Sequence, residues 1–249
     1  MTTAVFGWLA AAASMSLLWP QVWVSCARRR TEGLSPTATW LAAALPVGWL
    51  AYGALIGDGV QVVANTVTGT AAIAILVALL ATQPIVRSRK ALAAFGWPAV
   101  ALIVVTGGVA VAAAAVPGLH PQAAAGALGS ILAVVAVLSA VPQPLSLLRD
   151  RGCDVSGLSP ARWWLGLCSG TLWTVYGLST GQPAVWASSG FGLICTSTVC
   201  AFIIRGRRTA PATAAPIAYA VPATAGRPPV PALHVVTADY RRPALRVAA

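Results

Sequence analysis

Seven apolar runs constrain the fold of this chain more than any other feature of its sequence. Each is about 20 residues long, and a helix of that length covers the roughly 30 Å hydrocarbon layer of a bilayer. Only 8% of the residues are charged, against about 25% in a typical soluble domain. The sequence therefore predicts an all-α membrane protein, with seven transmembrane helices near residues 5–25, 36–56, 61–82, 95–116, 123–148, 161–178 and 184–204.

The lysines and arginines are predicted to lie on one side of the membrane. The formal net charge is +11, and the lysines and arginines follow the first, third, fifth and seventh runs. The opposite loops contain only Asp58 and His120 as potentially charged residues. The positive-inside rule then predicts that the N-terminus is outside and the C-terminus cytoplasmic, with the plasma membrane as the expected location. Because this topology and contact with the lipid bilayer account for the charge, we predict no nucleic-acid partner.

The two halves of the chain are related by an internal repeat. A shift of 124 residues pairs Gly-Leu-Ser-Pro at 33–36 with the same four residues at 157–160. The motif Trp-x-x-Tyr-Gly recurs at this shift, and a glycine and a Pro-Gln pair recur at a shift of 122 residues. The paired residues are Trp49 with Trp173, Tyr52 with Tyr176, Gly53 with Gly177, Gly7 with Gly129, Pro20 with Pro142, and Gln21 with Gln143.

Each copy contains three runs, and this odd number explains the helix between the copies. Two three-helix units joined directly would be inverted relative to each other, whereas an additional helix keeps both basic loops on the same side. We therefore predict a first three-helix repeat at 1–86, a cytoplasmic loop with a linker helix at 87–120, and a second repeat at 121–206. Residues 207–249 are rich in Ala and Pro with scattered Arg, which predicts a disordered basic cytoplasmic tail.

With these features, the chain resembles the PQ-loop superfamily, and within it the SWEET sugar transporters, over about residues 5–204. The resemblance rests on Pro-Gln at the end of the first helix of each repeat, the basic loop that follows, and Trp-x-x-Tyr-Gly near the end of the second helix. It implies two parallel three-helix PQ-loop repeats that alternate access to a central site. The function expected from it is facilitative transport of a small neutral polar solute, similar to a sugar.

The two Pro-Gln pairs are candidate hinges. A proline within a helix removes one backbone hydrogen bond, so Pro20 and Pro142 are predicted to let their helices bend near a cytoplasmic gate. Gln21 and Gln143 carry amides that can satisfy freed carbonyls or hold the loop backbone. The alternative is that each pair only ends a helix at the membrane interface.

Candidate substrate contacts lie in the second and third helices of the repeats. Trp49 and Trp173 are predicted to line a central cavity, because the repeat relates them and they match sugar-stacking residues of SWEETs. The alternative is an interfacial aromatic belt, which is the role we predict for Tyr52 and Tyr176. Asn65 is the only asparagine of the chain. An unpaired amide is costly in a membrane, so Asn65 is expected to face the bundle interior, where another helix or a substrate satisfies it.

Two serines complete the candidate site. The resemblance implies a sugar-contacting asparagine on the third helix of each repeat, and Asn65 matches it in the first. The 124-residue shift places Ser189 at the equivalent position of the second. Ser169, one turn before Trp173, matches another pocket-lining position of the family, and helix packing is its alternative role.

The remaining chemistry argues for a passive carrier. None of the five acidic residues or two histidines lies within a predicted span, so no proton relay is predicted. We identify no nucleophile with an adjacent base and no phosphate-binding loop, and we predict no enzyme activity, cofactor or metal site. Two other functions stay open: a PQ-loop transporter of an amino acid or other metabolite, and a non-transporting membrane receptor or assembly protein. A homo-oligomer is also left open.

Overall fold

A computed structural model describes residues 2–32, 34–149 and 160–209 of the chain. Within these ranges the regular structure is helical, without a strand. The predicted tail lies outside the described residues from 210 onward, as does most of the second Gly-Leu-Ser-Pro segment. The helices are α1 Thr2–Val22, α2 Pro36–Ile56, α3 Gly59–Thr82, α4 Arg89–Ala115, α5 Pro121–Ala140, α6 Pro142–Arg149, α7 Pro160–Ser179 and α8 Pro183–Thr209, with a π-helical turn at Trp23–Ala27 and a 3-10 turn at Pro84–Arg87.

Local sequence explains the sharp junction between α2 and α3. Helix α2 begins at Pro36, after the side chain of Ser35 accepts a backbone hydrogen bond at its N-terminus. It ends at Gly57, whose φ of 72° lies in the left-handed region that favours glycine. Asp58 then caps α3. Because this connection is so short, α2 and α3 lie side by side.

Six of the described helices are long and apolar enough to cross a membrane: α1 with its π-helical end, α2, α3, α4, α5 and α8. Helix α7 has 20 residues but is less apolar, because it contains three tryptophans, Arg162 and several hydroxyl side chains. The predicted all-helical architecture is confirmed. By length and composition, the described residues give six spans where the sequence predicted seven.

Two predicted helix bounds are wrong. The run at 123–148 is not one helix, because α5 ends at Ala140 and Pro142, which has no N–H to donate, begins α6. Helix α4 begins at Arg89 rather than near residue 95. The Ser88 side chain accepts a hydrogen bond from the Ala91 N–H and caps the helix at this point.

Helix packing follows the same pattern in both halves of the chain. The middle helix of each three-helix group packs on the third, α2 on α3 and α7 on α8. The first group consists of α1, α2 and α3, and the second of α5, α7 and α8. Helix α1 packs on α3 of its own group and on α7 of the other, and α5 packs on α8 of its own group and on α2 of the other. The α1–α7 and α2–α5 contacts therefore join the two groups. Helix α4 packs on α2 and makes a smaller contact with α5.

Two glycines allow these joining contacts to be close. A Cβ at Gly7 of α1 would lie 2.6 Å from Cε2 of Tyr176, and a Cβ at Gly129 of α5 would lie 2.8 Å from Cε2 of Tyr52. Each tyrosine ring therefore rests on the helix backbone of the opposite group, as small residues permit in membrane helix packing. The exposed fractions of Tyr52 and Tyr176 are only 4% and 5%. The prediction that these tyrosines form an interfacial belt is wrong, because they are buried between helices.

The glycines of the Trp-x-x-Tyr-Gly motifs have a different packing role. A Cβ at Gly53 would lie 2.6 Å from Cβ of Gln61 on α3, and a Cβ at Gly177 would lie 2.7 Å from the backbone N of Trp186 on α8. Each glycine thus lets the third helix of its group approach the second. The motif fixes the second helix on both sides, with the tyrosine against one neighbour and the glycine against another.

Candidate functional site

A cavity of about 240 Å³ lies between the two three-helix groups. Three helices from each group contribute to its wall: α1, α2 and α3 from the first, and α5, α7 and α8 from the second. The lining residues are Ser14, Trp49, Gln61, Ala64, Asn65, Thr68, Ala136, Trp173, Val185, Ser188 and Ser189. Four of the five predicted substrate-binding residues, all but Ser169, are therefore brought together on one cavity.

The cavity wall is built from residues that the internal repeat relates. At shifts of 122 or 124 residues the lining residues pair as Ser14 with Ala136, Trp49 with Trp173, Gln61 with Val185, Ala64 with Ser188, and Asn65 with Ser189. The chemistry of the two sides differs, because the first group supplies both amides of the cavity wall. The cavity thus has one tryptophan on each side, whereas both of its amide side chains lie on the side of the first group.

The two tryptophans have nearly the same local geometry. The ring centroids of Trp49 and Tyr52 are 5.5 Å apart with an interplanar angle of 80°, and those of Trp173 and Tyr176 are 5.7 Å apart with an angle of 78°. Edge-to-face contacts of this kind are favoured by the quadrupoles of the rings. Each indole is therefore positioned between the cavity and a tyrosine that contacts the opposite group.

Only one of the two indoles has its N–H engaged by the protein. Nε1 of Trp173 donates to Oγ of Ser14 at 2.7 Å, and the hydroxyls of Ser14 and Ser169 are 2.9 Å apart. The residues equivalent to Ser14 and Ser169 are Ala136 and Leu45, which have no side-chain acceptor. Within the described part of the chain, Nε1 of Trp49 makes no hydrogen bond. Ser169 is buried and lies outside the cavity wall, so it holds Trp173 through Ser14.

Asn65 is paired with a neighbour on its own helix. Its Nδ2 donates to the backbone carbonyl of Gln61 at 2.8 Å and to Oε1 of Gln61 at 3.0 Å. Gln61 is 3% exposed, so this amide pair is held against the cavity wall. Oδ1 of Asn65 makes no hydrogen bond among the described residues. The arrangement leaves an acceptor of Asn65 available at a half-buried position on the cavity.

Ser189 is engaged more fully by its own group. Its hydroxyl donates to the backbone carbonyl of Val185 and accepts a long contact, 3.3 Å, from Oγ1 of Thr174. The neighbouring Ser188 hydroxyl also donates to a backbone carbonyl of α8, that of Ala184, at 2.7 Å. These serines therefore use their hydrogens within α8 and present only oxygen lone pairs to the cavity.

A hydrogen-bond network centred on Asp58 joins the two groups at one end of the cavity. Oδ1 accepts from the backbone N–H groups that begin α3. Oδ2 accepts from the Tyr176 hydroxyl and from Nε2 of Gln182, both at 2.8 Å. Asp58 and Gln182 are equivalent at the 124-residue shift. One carboxylate therefore caps its own helix and binds two side chains of the other group.

A second cavity, of about 610 Å³, lies on the far side of this network. Its wall includes Tyr52, Asp58, Tyr176 and Gln182 and shares no residue with the 240 Å³ cavity. The two tryptophans lie one helical turn before the two tyrosines, on the side of the smaller cavity. The Asp58 network and the two tyrosines thus separate the two spaces.

The two Pro-Gln pairs are not structurally equivalent. Pro20 lies inside α1, and the chain changes to π-helix three residues later, with Nε2 of Gln21 donating to Oγ of Ser25 at 2.9 Å. Pro142 instead follows a bend at Val141 and begins α6, which also contains Gln143. Proline and π-helical turns are both recognised causes of helix bending. Pro20, Gln21 and Pro142 are not among the residues of the cavity wall.

Sequence reasoning missed Asp58, Gln61 and Ser14. Asp58 was recognised only as a charge in a loop, although an Asp directly before an apolar run signals a helix cap. Gln61 precedes Asn65 by one helical turn, and two amides at that spacing in an apolar helix indicate a polar face. Ser14 carries no local signal, because its role depends on Trp173 in another helix.

Comparisons with known proteins agree with this architecture. The family described as PQ loop repeat matches residues 3–55, which include the first Pro-Gln pair and the first Trp-x-x-Tyr-Gly motif. Among solved structures, a eukaryotic SWEET transporter determined at 3.7 Å resolution is similar, with a TM-score of 0.63 and 15% sequence identity. The similarity covers 84% of this chain and 100% of that one. No curated protein matches the sequence.

These findings confirm the predicted resemblance. Residues 3–55 match a PQ-loop repeat, and the fold is similar to that of a SWEET transporter.

Proposed function

We propose that this SWEET-like protein is a facilitative membrane transporter of a small, neutral, polar solute such as a sugar. The observation that supports this best is the 240 Å³ cavity between two groups of helices, walled by residues that the repeat relates. Ligand cavities of soluble proteins commonly measure about 300 to 1,000 Å³, so this space suits a small solute. A site between two similar halves is also where alternating access places the solute of a repeat-built transporter.

We further propose that the two groups are parallel three-helix repeats and that α7 is the seventh span. Helix α7 packs on α1 and α8, both of which are candidate spans, so its polar and aromatic residues need not face lipid. The linker helix α4 then gives both repeats the same orientation. The one-sided lysines and arginines support an outside N-terminus, a cytoplasmic C-terminus and a location in the plasma membrane.

In this proposal the two repeats contribute unequally to recognition of the solute. The faces of Trp49 and Trp173 bind the apolar face of the solute from opposite repeats. Oδ1 of Asn65 accepts a hydroxyl hydrogen from the solute, and Nε1 of Trp49 donates to a solute oxygen, since neither atom has a partner within the described residues. Ser189 contributes a weaker acceptor, and Ser169 acts indirectly by holding Trp173.

Alternation follows from the two ends of the cavity. The Asp58 network closes the end that the charge pattern assigns to the outside, and opening that end requires breaking its bonds to Tyr176 and Gln182. At the cytoplasmic end, Pro20 and Gln21 with the π-helical turn, and Pro142 and Gln143 at the break before α6, are the proposed hinges. No step in this cycle involves covalent chemistry, and the fold similarity favours a carrier over an enzyme.

Uptake into proteoliposomes tests the proposal. Purified protein should equilibrate a labelled sugar, polyol or amino acid along its gradient, and uptake should persist when the proton gradient is collapsed. Flux of an amino acid without flux of sugars would identify the metabolite alternative. Binding of a solute that never equilibrates across the vesicle would contradict transport and identify a receptor instead. Accumulation driven by an imposed pH step would contradict passive exchange.

A further inference from the structure

A large apolar groove outside the central cavity is not explained by solute transport. It has a volume of about 740 Å³ and lies between α2, α4 and α5. Helix α4 has no counterpart in the second repeat, and it packs on α2 while making only a small contact with α5. The opening between α4 and α5 is therefore left partly unfilled. Its walls are lined at depth by residues such as Leu45, Leu102 and Val135.

The groove has the depth of one bilayer leaflet. Along α2 its lining extends from Ser35 to Leu45, ten residues that rise about 15 Å in a helix. Half of the roughly 30 Å hydrocarbon layer is the same distance. One end of the groove lies at the start of α2 and the end of α5, and the other end lies about 15 Å further along α2, which matches the distance from the membrane surface to the bilayer centre.

Polar groups gather at the end formed by the start of α2 and the end of α5. The hydroxyl residues of the lining, Ser35, Thr37 and Ser139, all lie in the terminal turns of their helices. Trp97 lines the same end and is 65% exposed. An exposed tryptophan is typical of the level of the lipid headgroups. The lining therefore changes from apolar to polar in the order in which a phospholipid changes from acyl chain to headgroup.

Two cations are close in sequence to residues that line this end, one on α4 and one on α6. Lys90 precedes Trp97 by seven residues on α4, and Arg149 follows Pro142 by seven residues. Seven residues are two helical turns, so each cation shares a helix face with a lining residue and lies about 10 Å along the helix from it. Both side chains are exposed, and neither forms an ion pair within the described part of the chain.

We propose that this groove binds one anionic phospholipid, with an acyl chain between α4 and α5 and the phosphate between Lys90 and Arg149. The apolar depth alone would accept any lipid of the bilayer, and the pair of cations selects for negative charge. Each cation near a membrane surface contributes about fivefold in affinity, so two give a preference for an anionic headgroup of roughly 30-fold. This site is independent of the solute and of the direction of transport.

The test uses the full-length protein purified in neutral detergent. Phosphatidylglycerol and phosphatidylcholine with identical acyl chains are titrated, and bound lipids are counted by native mass spectrometry while thermal stability is followed. We expect one lipid to be retained preferentially, with phosphatidylglycerol favoured roughly 30-fold. Equal retention of both lipids would overturn the proposal, because the groove would then hold only ordinary bilayer lipid. An equal effect of inorganic phosphate would overturn the acyl-chain part.

Two pairs of variants separate the charge from the groove. Lys90→Gln with Arg149→Gln should remove most of the headgroup preference, whereas Arg28→Gln with Arg30→Gln, beyond the end of α1, should leave it unchanged. Ala101→Phe fills the groove and should abolish retention of the lipid. Val104→Phe, an exposed position on α4 outside the groove, is its control. If Ala101→Phe instead converts a dimer to a monomer without changing lipid retention, the groove binds a second copy of the chain and the proposal is wrong.

Discussion

The third helix of the first group, α3, begins after Asp58, and the third helix of the second group, α8, begins after Gln182. Four hydrogen bonds reach the Asp58 carboxylate, two from its own helix and two from the opposite group. At the equivalent position, the Gln182 amide donates one bond to Asp58, and its Oε1 is buried without a partner among the described residues. The same contrast recurs on the cavity, where Gln61 and Asn65 face Val185 and Ser189.

The two groups therefore have similar packing contacts and different polar chemistry. Tyr52 and Tyr176 make matching contacts with glycines of the opposite group, and the two tryptophans have matching edge-to-face geometry. Packing positions must stay similar because each group contacts the other through the same surfaces. Polar positions are free to differ, because one carboxylate or one amide can serve both sides of a shared interface.

The largest difference between the repeats is expected at Asp58 and Gln182. Asp58→Ala removes two bonds to a charged group and a helix cap, which should lower stability by roughly 3 to 5 kcal/mol. Gln182→Ala removes one donor and also an unpaired buried carbonyl, so its cost should be much smaller. Thermal unfolding of the purified variants measures both. Asp58→Asn, which keeps the cap, is the control, and equal losses for Asp58→Ala and Gln182→Ala would show that the network is not centred on Asp58.

A smaller difference is expected at Asn65 and Ser189. Asn65→Ala should lower solute affinity by about 1 to 3 kcal/mol, or roughly five- to 150-fold, because a polar ligand is left unpaired in the cavity. Ser189→Ala should cost less, since its hydroxyl hydrogen already binds within α8. Ser189→Asn should gain or shift sugar binding by restoring a symmetric pair of amides. Equilibrium binding measures these effects. A loss of stability with unchanged affinity in Asn65→Ala would show that Asn65 only packs helices.

The effects of replacing Pro20 and of replacing Pro142 on solute exchange should differ less. Pro20→Ala restores a backbone hydrogen bond inside α1 and should slow solute exchange by roughly threefold. Pro142→Ala should have a weaker effect, because Pro142 begins α6, where its missing N–H is not needed. Pro98→Ala, in the linker helix, is the control that should leave exchange unchanged. Exchange rates in proteoliposomes decide this, and unchanged transport with both prolines replaced would show that they only shape helix ends.

No difference is expected between the two joining glycines. Gly7→Val and Gly129→Val both force a side chain into a tyrosine ring, and each should destabilise the protein by about 1 to 3 kcal/mol. Gly126→Val on α5 has no atom within 4 Å of the added Cβ and serves as the control. Thermal unfolding compares the three. A large effect at only one of Gly7 and Gly129 would contradict equivalent packing of the repeats.

Much of the site could be predicted from the sequence, because its residues combine a local signal with the repeat. Asn65 is a lone amide in an apolar run, and Trp49 and Trp173 recur at the repeat distance. Their shared position on one cavity follows once two similar halves face each other. The pair of Pro-Gln motifs was also visible, but their environments are different. Pro20 continues into a π-helical turn, whereas Pro142 follows a break between two helices.

The sequence by itself determined the helical architecture, the repeat and the positions of the polar residues, since hydrophobic length, turn residues and self-similarity are local properties. Only the tertiary structure decided which groups meet. The bonds from Tyr176 and Gln182 to Asp58, and from Trp173 to Ser14, join residues more than a hundred positions apart. The burial of the tyrosines depends in the same way on glycines of the opposite group. Such contacts depend on how helices pack in three dimensions, and no local pattern of residues encodes that packing.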